Sequence, residues 1–218
     1  KRFQPQMQAL LDYWQRAPRR HNATGLYTWH DQLETGADNL VTSECPSKYS
    51  PCWNETTMAF TLSSTDIMTF LHRELTAYSL FLKAWASQDS DALESRRFLQ
   101  LSARALRDAE DIKAALNKWL WSDARNSYVA FNVSTNRAIV NRVFLMAFPV
   151  FGRLASADQA RRSLAEVLKP DMLSGFGEQL ALVAHNWKER GSQVFAAPAK
   201  MIRSSTILVR NIEIAACF

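Results

Sequence analysis

The first hydrophobic pattern along the chain is helical. Met7, Leu10, Leu11 and Trp14 recur at the i, i+3, i+4, i+7 spacing, which predicts that they form one buried face of an α-helix. A longer stripe predicts a second helix over about residues 65–86, and Ser63 with Asp66 predicts its cap. The members of this stripe are Ile67, Leu71, Leu75, Tyr78, Leu82 and Trp85.

A third helix is predicted from about Asp91 to Trp121, and a fourth begins where Ser156 is followed by Gln159. The buried face of the third helix comprises Phe98, Leu101, Ala105, Ile112, Leu116 and Leu120. Between these two helices, residues 128–133 predict a short extended stretch, and Pro170 follows the fourth helix. The pattern therefore predicts an all-α chain of helix pairs joined by loops.

Composition narrows the class of protein. The chain has 218 residues, 47% of them hydrophobic and 22% charged, which is typical of a folded globular protein. No apolar run approaches the roughly 20 residues of a membrane-spanning helix. The net charge is +5, but basic and acidic residues alternate along the chain, which favours solvated helix faces over a nucleic-acid surface.

Two features bear on the cellular compartment. Cys45 and Cys52 are close enough in sequence for a disulfide loop, and Asn22, Asn54 and Asn132 each begin an N-glycosylation sequon. Together they favour a secretory or extracellular protein. The alternative is a cytoplasmic protein with free thiols and sequons that occur by chance.

The segment from Thr24 to Asn39 combines residues that a hydrophobic core does not require. It holds two ring platforms, three carboxylates and two turn-forming glycines: Trp29, His30, Asp31, Glu34, Asp38, Gly25 and Gly36. A sugar site needs this mixture, because an aromatic face stacks on the pyranose ring and carboxylates hold its hydroxyls. The alternative is a polar loop whose acids cap helices and whose tryptophan anchors it.

The run Gly25-Leu-Tyr-Thr-Trp-His-Asp-Gln-Leu-Glu-Thr-Gly-Ala-Asp-Asn39 closely resembles the acid-catalyst signature of glycoside hydrolase family sixty-three, nearest its mannosylglycerate hydrolase branch. The helix from Asp66 to Ala86, the segment Leu120 to Tyr128 and the stretch Phe144 to Gly177 are also similar to that family. The resemblance covers about residues 5–177 and implies an (α/α)6 six-hairpin toroid.

The resemblance assigns roles within this segment. Asp38 falls on the general acid of an inverting glycosidase, and Glu34 or Asp31 is expected to raise its pKa. Trp29 is expected to stack on the sugar, with hydroxyl ligands from Asp31, Gln32, Glu34 and Asn39, and Tyr27 and His30 as second choices. The implied partner is a small sugar or oligosaccharide substrate, with no metal or cofactor.

The resemblance stops at residue 177. Residues 178–218 are a divergent tail in which no segment matches the family and no glutamate is identified as the catalytic base. Twelve barrel helices of about 20 residues need on the order of 300 residues, so about half of the barrel is expected here. Two hypotheses follow: a glycoside hydrolase or a fragment of one, or a truncated non-catalytic product that binds carbohydrate or a partner protein.

We expect Cys45 and Cys52 to form a disulfide when the protein is made in an oxidising compartment. They are seven positions apart and two prolines lie between them, which restrains the loop that the bond would close. Peptide mapping by mass spectrometry without reduction measures the bond, and free thiols at both positions would contradict it.

Overall fold

A computed structural model describes residues 2–29, 53–54, 59–140 and 144–169 of the chain. The chain divides into two compact units, residues 1–167 and residues 168–218. The first unit contains every helix and strand given below. The predicted domain boundary at residue 177 lies outside the described residues and stays a prediction, as does the divergent tail.

Helices dominate the first unit. Their bounds are α1 Gln4–Gln15, α2 Thr65–Ser87, α3 Ala92–Trp119, α4 Phe148–Phe151 and α5 Ala157–Val167, with short 3-10 helices at Asp123–Arg125 and Phe144–Ala147. In the described part of the chain, no helix is long and apolar enough to cross a membrane.

Short antiparallel strands connect the helices. They are β1 Trp53–Asn54, β2 Ala59–Phe60, β3 Leu62–Ser63, β4 Trp121–Ser122, β5 Ser127–Tyr128, β6 Ala130–Asn132 and β7 Arg137–Ile139. The pairings are β1 with β2, β4 with β5, and a three-stranded sheet in the order β3, β6, β7. The extended stretch predicted at residues 128–133 thus supplies the central strand of a small sheet.

The core lies between α2 and α3, which form an antiparallel hairpin. The Ser95 hydroxyl donates to the Ala86 carbonyl near the connecting loop, and the Ser79 and Ser102 hydroxyls meet further along at 2.8 Å. Apolar side chains from both helices fill the interface, among them Leu71, Leu75, Leu82, Phe98, Ala109, Ile112 and Leu116. The hairpin therefore buries the two stripes that the sequence predicts.

Helix α1 packs on this hairpin through apolar side chains and a hydrogen bond. Leu11 is buried, and Met7 and Trp14 are partly buried against the core. The Gln4 side-chain amide donates to the Tyr78 hydroxyl at 2.8 Å, which links α1 to α2. The prediction that Leu10 belongs to the buried face is wrong, because Leu10 is 59% exposed. The buried stripe of α1 is therefore narrower than the pattern indicates.

The predicted helix starts can be compared residue by residue. The Ser156–Gln159 capping box is confirmed, because the Ser156 N–H donates to Gln159 Oε1 at 2.9 Å and the Gln159 N–H donates to Ser156 Oγ at 3.2 Å. The cap of α2 was predicted at Ser63 and is wrong by one residue, since Ser64 precedes the helix. Ser63 instead pairs with Phe131 in the sheet.

The third helix begins after Asp91, whose carboxylate accepts the Leu93 N–H. It ends at Trp119 rather than Trp121, because Trp121 begins β4. Trp85 and Leu101, which the stripes place on buried faces, are only partly buried.

Asn132 lies at the end of β6 with only 5% of its surface exposed. Its side-chain oxygen accepts the N–H groups of Ser134 at 3.0 Å and Thr135 at 3.1 Å. This bonding closes the turn toward β7. A glycan needs a surface asparagine, so the burial of Asn132 argues against that sequon as an acceptor, whereas Asn22 is exposed in a turn.

Replacing Leu116 by alanine is expected to destabilise the protein by about 2–5 kcal/mol, because Leu116 is fully buried in the hairpin. Leu99→Ala on the same helix is the matched control. Leu99 is 49% exposed, so a change within roughly ±0.5 kcal/mol is expected. Denaturant unfolding of both variants measures the difference, and equal losses would contradict the assignment of the core.

Candidate active site

The structure describes the first part of the predicted acid segment, Gly25 to Trp29. The remaining predicted site residues lie outside the described residues: His30, Asp31, Gln32, Glu34, Asp38 and Asn39. Cys45 and Cys52 lie outside them as well. The roles assigned to these side chains stay predictions, and the geometry below concerns how the chain arrives at them.

A tight reversal of the chain begins before the acid segment and includes its first residues. Arg20 and Tyr27 form an antiparallel bridge, and the Thr28 N–H donates to the Arg19 carbonyl at 2.8 Å. At the turn, Gly25 has a φ of 72°, a left-handed conformation that glycine adopts without strain. The predicted sharp turn at Gly25 is confirmed, and it directs residues 26–29 back along residues 19–21.

Tyr27 lies between this reversal and α2. Its backbone N–H donates to the Met68 Sδ atom at 3.3 Å. Burial raises the pKa of Tyr27 to about 12; Arg20 lowers it, and the nearby Asp108 and Asp111 raise it further. The phenol is therefore neutral in ordinary buffers. Its predicted role as a sugar ligand stays a prediction, and its described contacts are with the core.

Trp29 joins an aromatic cluster with α1. Its ring meets Trp14 edge-on at a centroid distance of 5.7 Å, and the Arg19 guanidinium lies 4.4 Å from the Trp14 ring centroid. Trp29 is 7% exposed, so core packing covers most of its ring. Its predicted stacking on a sugar stays a prediction. Within the described residues, its indole N–H has no hydrogen-bond partner.

The sequence pattern predicts Asp66 only as part of a helix cap, whereas the structure also buries its carboxylate. Its carboxylate is 2% exposed and accepts the Ser64 hydroxyl and the Ile67 N–H, the latter at 2.8 Å. Burial raises the pKa of Asp66, although the hydrogen bonds from Ser64 and Ile67 lower it. The feature of the sequence that could indicate this buried carboxylate is an acidic residue beside an apolar helical stripe.

The segment from Leu120 to Tyr128 forms the β4–β5 hairpin. Arg162 on α5 holds this hairpin, because its guanidinium donates to Asp123 Oδ1 at 3.0 Å and to Asn126 Oδ1 at 2.9 Å. The Tyr128 hydroxyl donates to Asn117 Oδ1 at 2.8 Å. The described contacts of this segment are structural, and the described residues contain no group of three or more potential metal ligands.

A solved structure with the same arrangement of helical hairpins is neutral trehalase from Saccharomyces cerevisiae, with a TM-score of 0.52 and 15% sequence identity. The match covers 76% of this chain and 38% of the trehalase chain. This likeness shows the fold, part of an (α/α)6 six-hairpin barrel, as predicted.

The class defined by this fold and by the acid segment is that of the six-hairpin glycoside hydrolases. Residues 1–180 match the mannosylglycerate hydrolase MGH1-like glycoside hydrolase domain, and the chain belongs to that family. This match confirms the resemblance drawn from the acid segment. No protein with a curated description matches the chain.

The pH dependence of stability is expected to change in Asp66→Asn. Because the folded-state pKa of Asp66 is raised above 3.8, the folded state retains a proton that the unfolded state releases. Raising the pH from about 3.8 through the folded-state pKa therefore lowers the unfolding free energy of the wild type relative to the variant. Denaturant unfolding across pH measures this difference, and parallel curves would contradict the raised pKa.

Proposed function

We propose that this chain supplies the acid-catalyst part of an inverting glycosidase that acts on a small α-glycoside. The observation that carries the proposal is the family match over residues 1–180, which includes the Glu-Thr-Gly-Ala-Asp box from Glu34 to Asp38. The proposed substrates are mannosylglycerate, which the family description names, glucosylglycerate, and an α-glucoside such as trehalose.

In the proposed mechanism, Asp38 protonates the glycosidic oxygen as the bond to the leaving group breaks. A second carboxylate activates water on the opposite face of the sugar, about 6.5–9.5 Å from the acid, so the anomeric configuration inverts. The catalytic base is not assigned to any residue of this chain. Glu34 or Asp31 would keep Asp38 protonated at neutral pH, because a nearby negative charge disfavours ionisation.

The described contacts restrain the start of the acid segment. Tyr27 packs on α2 and Trp29 packs on α1. The turn at Gly25 is fixed by two backbone hydrogen bonds of 2.8 Å, from the His21 N–H to the Leu26 carbonyl and from the Gly25 N–H to the His21 carbonyl. A segment held at its start by buried contacts suits a catalytic loop, since catalytic groups need supports that restrict their geometry. Asp31, Gln32 and Asn39 are the proposed hydroxyl ligands, with His30 a second choice.

In a complete version of the protein that also supplies the catalytic base, Asp38→Asn is expected to lower hydrolysis of a substrate with a sugar-acid or sugar leaving group by roughly 10²–10⁴-fold, because an amide cannot supply the proton. Sugar binding, measured by calorimetry, is expected to be retained. Glu74→Gln, on an exposed position of α2, is the matched control and is expected to leave both quantities unchanged.

Free sugar released from each substrate is the measured quantity, and proton NMR of the first product anomer tests inversion. Near-normal turnover of Asp38→Asn on a substrate with a poor leaving group would contradict the acid assignment. Sugar binding by the wild type without hydrolysis of any substrate would instead support the alternative, a non-catalytic carbohydrate-binding product.

A further inference from the structure

Two of the N-glycosylation sequons begin at asparagines whose side chains the structure describes, Asn22 and Asn132. A sequon alone is a weak signal, because an asparagine followed two positions later by serine or threonine also arises by chance. The folded chain adds a second requirement. An N-linked sugar is bulky and strongly hydrated, so the asparagine that carries it must reach solvent in the folded protein. The two asparagines differ in this respect.

Asn22 lies at the tip of the chain reversal. Asn22 and Ala23 are both exposed, and they belong to the turn between the two segments that the Arg20–Tyr27 bridge joins. Among the described residues, no hydrogen bond engages the Asn22 side chain. Its amide nitrogen can therefore exchange a hydrogen atom for a sugar without the loss of a described contact.

The turn is held by atoms other than the Asn22 side chain. Two backbone hydrogen bonds of 2.8 Å close it, from the His21 N–H to the Leu26 carbonyl and from the Gly25 N–H to the His21 carbonyl. The Thr24 hydroxyl lies 2.9 Å from His21 Nδ1 and accepts the Leu26 N–H at 3.2 Å. A sugar on Asn22 would thus extend into solvent from a turn whose conformation does not depend on that side chain.

Asn132 provides the comparison within the same chain. Only 5% of its surface is exposed, and its side-chain oxygen accepts the N–H groups of Ser134 and Thr135. A sugar on its nitrogen would have to lie inside a packed turn, where its hydroxyl groups would lose hydration. Of these two sequons, only the one at Asn22 combines exposure with a side chain that the fold does not use.

We propose that Asn22 carries an N-linked oligosaccharide in the native protein and that Asn132 does not. In the transfer, the Asn22 side-chain nitrogen forms a bond to the anomeric carbon of an oligosaccharide that is attached to a lipid pyrophosphate. The bond from that carbon to the pyrophosphate oxygen breaks, the lipid pyrophosphate leaves with the electron pair, and the amide loses one proton to a base of the transferring enzyme. Nothing is oxidised or reduced. The proposal requires the chain to be exported and does not depend on the catalytic role of Asp38.

The first experiment maps the sugars on protein isolated from its natural source. After reduction, trypsin yields residues 21–48 with Asn22 and residues 126–137 with Asn132, and each of these peptides contains a single sequon. Peptide N-glycosidase in oxygen-18 water converts a glycosylated asparagine into labelled aspartate, which mass spectrometry locates. We expect labelled aspartate at position 22 and unmodified asparagine at position 132. Unmodified asparagine at position 22, or equal labelling at both positions, would overturn the proposal.

The second experiment uses the full chain fused to a secretory leader in a eukaryotic cell. Asn22→Gln removes the acceptor, and we expect the secreted protein to carry one N-linked sugar fewer than the wild type, with an unchanged melting temperature after enzymatic removal of the sugars from both. Ser134→Ala is the matched control, because it removes the sequon at Asn132 and keeps both N–H groups that the Asn132 oxygen accepts.

Ser134→Ala is expected to leave the number of sugars unchanged. Secreted Asn22→Gln with as many sugars as the wild type, or a sugar lost in Ser134→Ala, would overturn the proposal. If Asn22→Gln is not secreted, the peptides of the native protein decide alone.

Discussion

The packing of α2 against α3 is the interaction on which the other elements depend. The two helices bury their leucine-rich stripes against each other, and the Ser79 and Ser102 hydroxyls are satisfied only because the backbones approach closely. The end of α4 also approaches α2 closely, at another face of that helix. A Cβ atom on Gly152 would lie 2.3 Å from Thr69 Cγ2, so the end of α4 contacts α2 without room for a side chain.

The first turn of α2 combines this packing with an unusual density of buried polar groups. Thr65 donates its hydroxyl to the Leu145 carbonyl at 2.5 Å, whereas Ser63 and Thr69 hydroxyls have no hydrogen-bond partner within the described part of the chain. Unsatisfied buried groups cost stability.

Much of the helical framework is predictable from the sequence because it depends on local spacing. The α2 and α3 stripes and the Ser156–Gln159 box follow from rules within one or two turns, and they agree with the structure. Leu10 was misplaced because its exposure depends on which helix lies beside α1. The cap at Ser64 was missed because the preceding residue pairs in a sheet with Phe131, 68 positions later in the chain.

The candidate site also has a part that the local sequence predicts and a part that depends on distant contacts. A short motif is sufficient to indicate Asp38 by resemblance, since the acid box is contiguous in sequence. The burial of the Asp66 carboxylate cannot be read from the local sequence, because contacts such as that of the Tyr27 N–H with Met68 Sδ join residues 41 positions apart. A cap-like spacing before a helical stripe explains Asp66 locally, so nothing in the linear pattern demands its burial.

The buried amide of Asn132 has a consequence for biosynthesis. Glycan transfer joins the sugar to the side-chain nitrogen of asparagine, and the folded β6–β7 turn leaves Asn132 only 5% exposed. The folded hairpin therefore hides this nitrogen from a transferring enzyme. In a cell that exports this chain, a sugar on Asn132 would mark molecules that were modified before the hairpin formed.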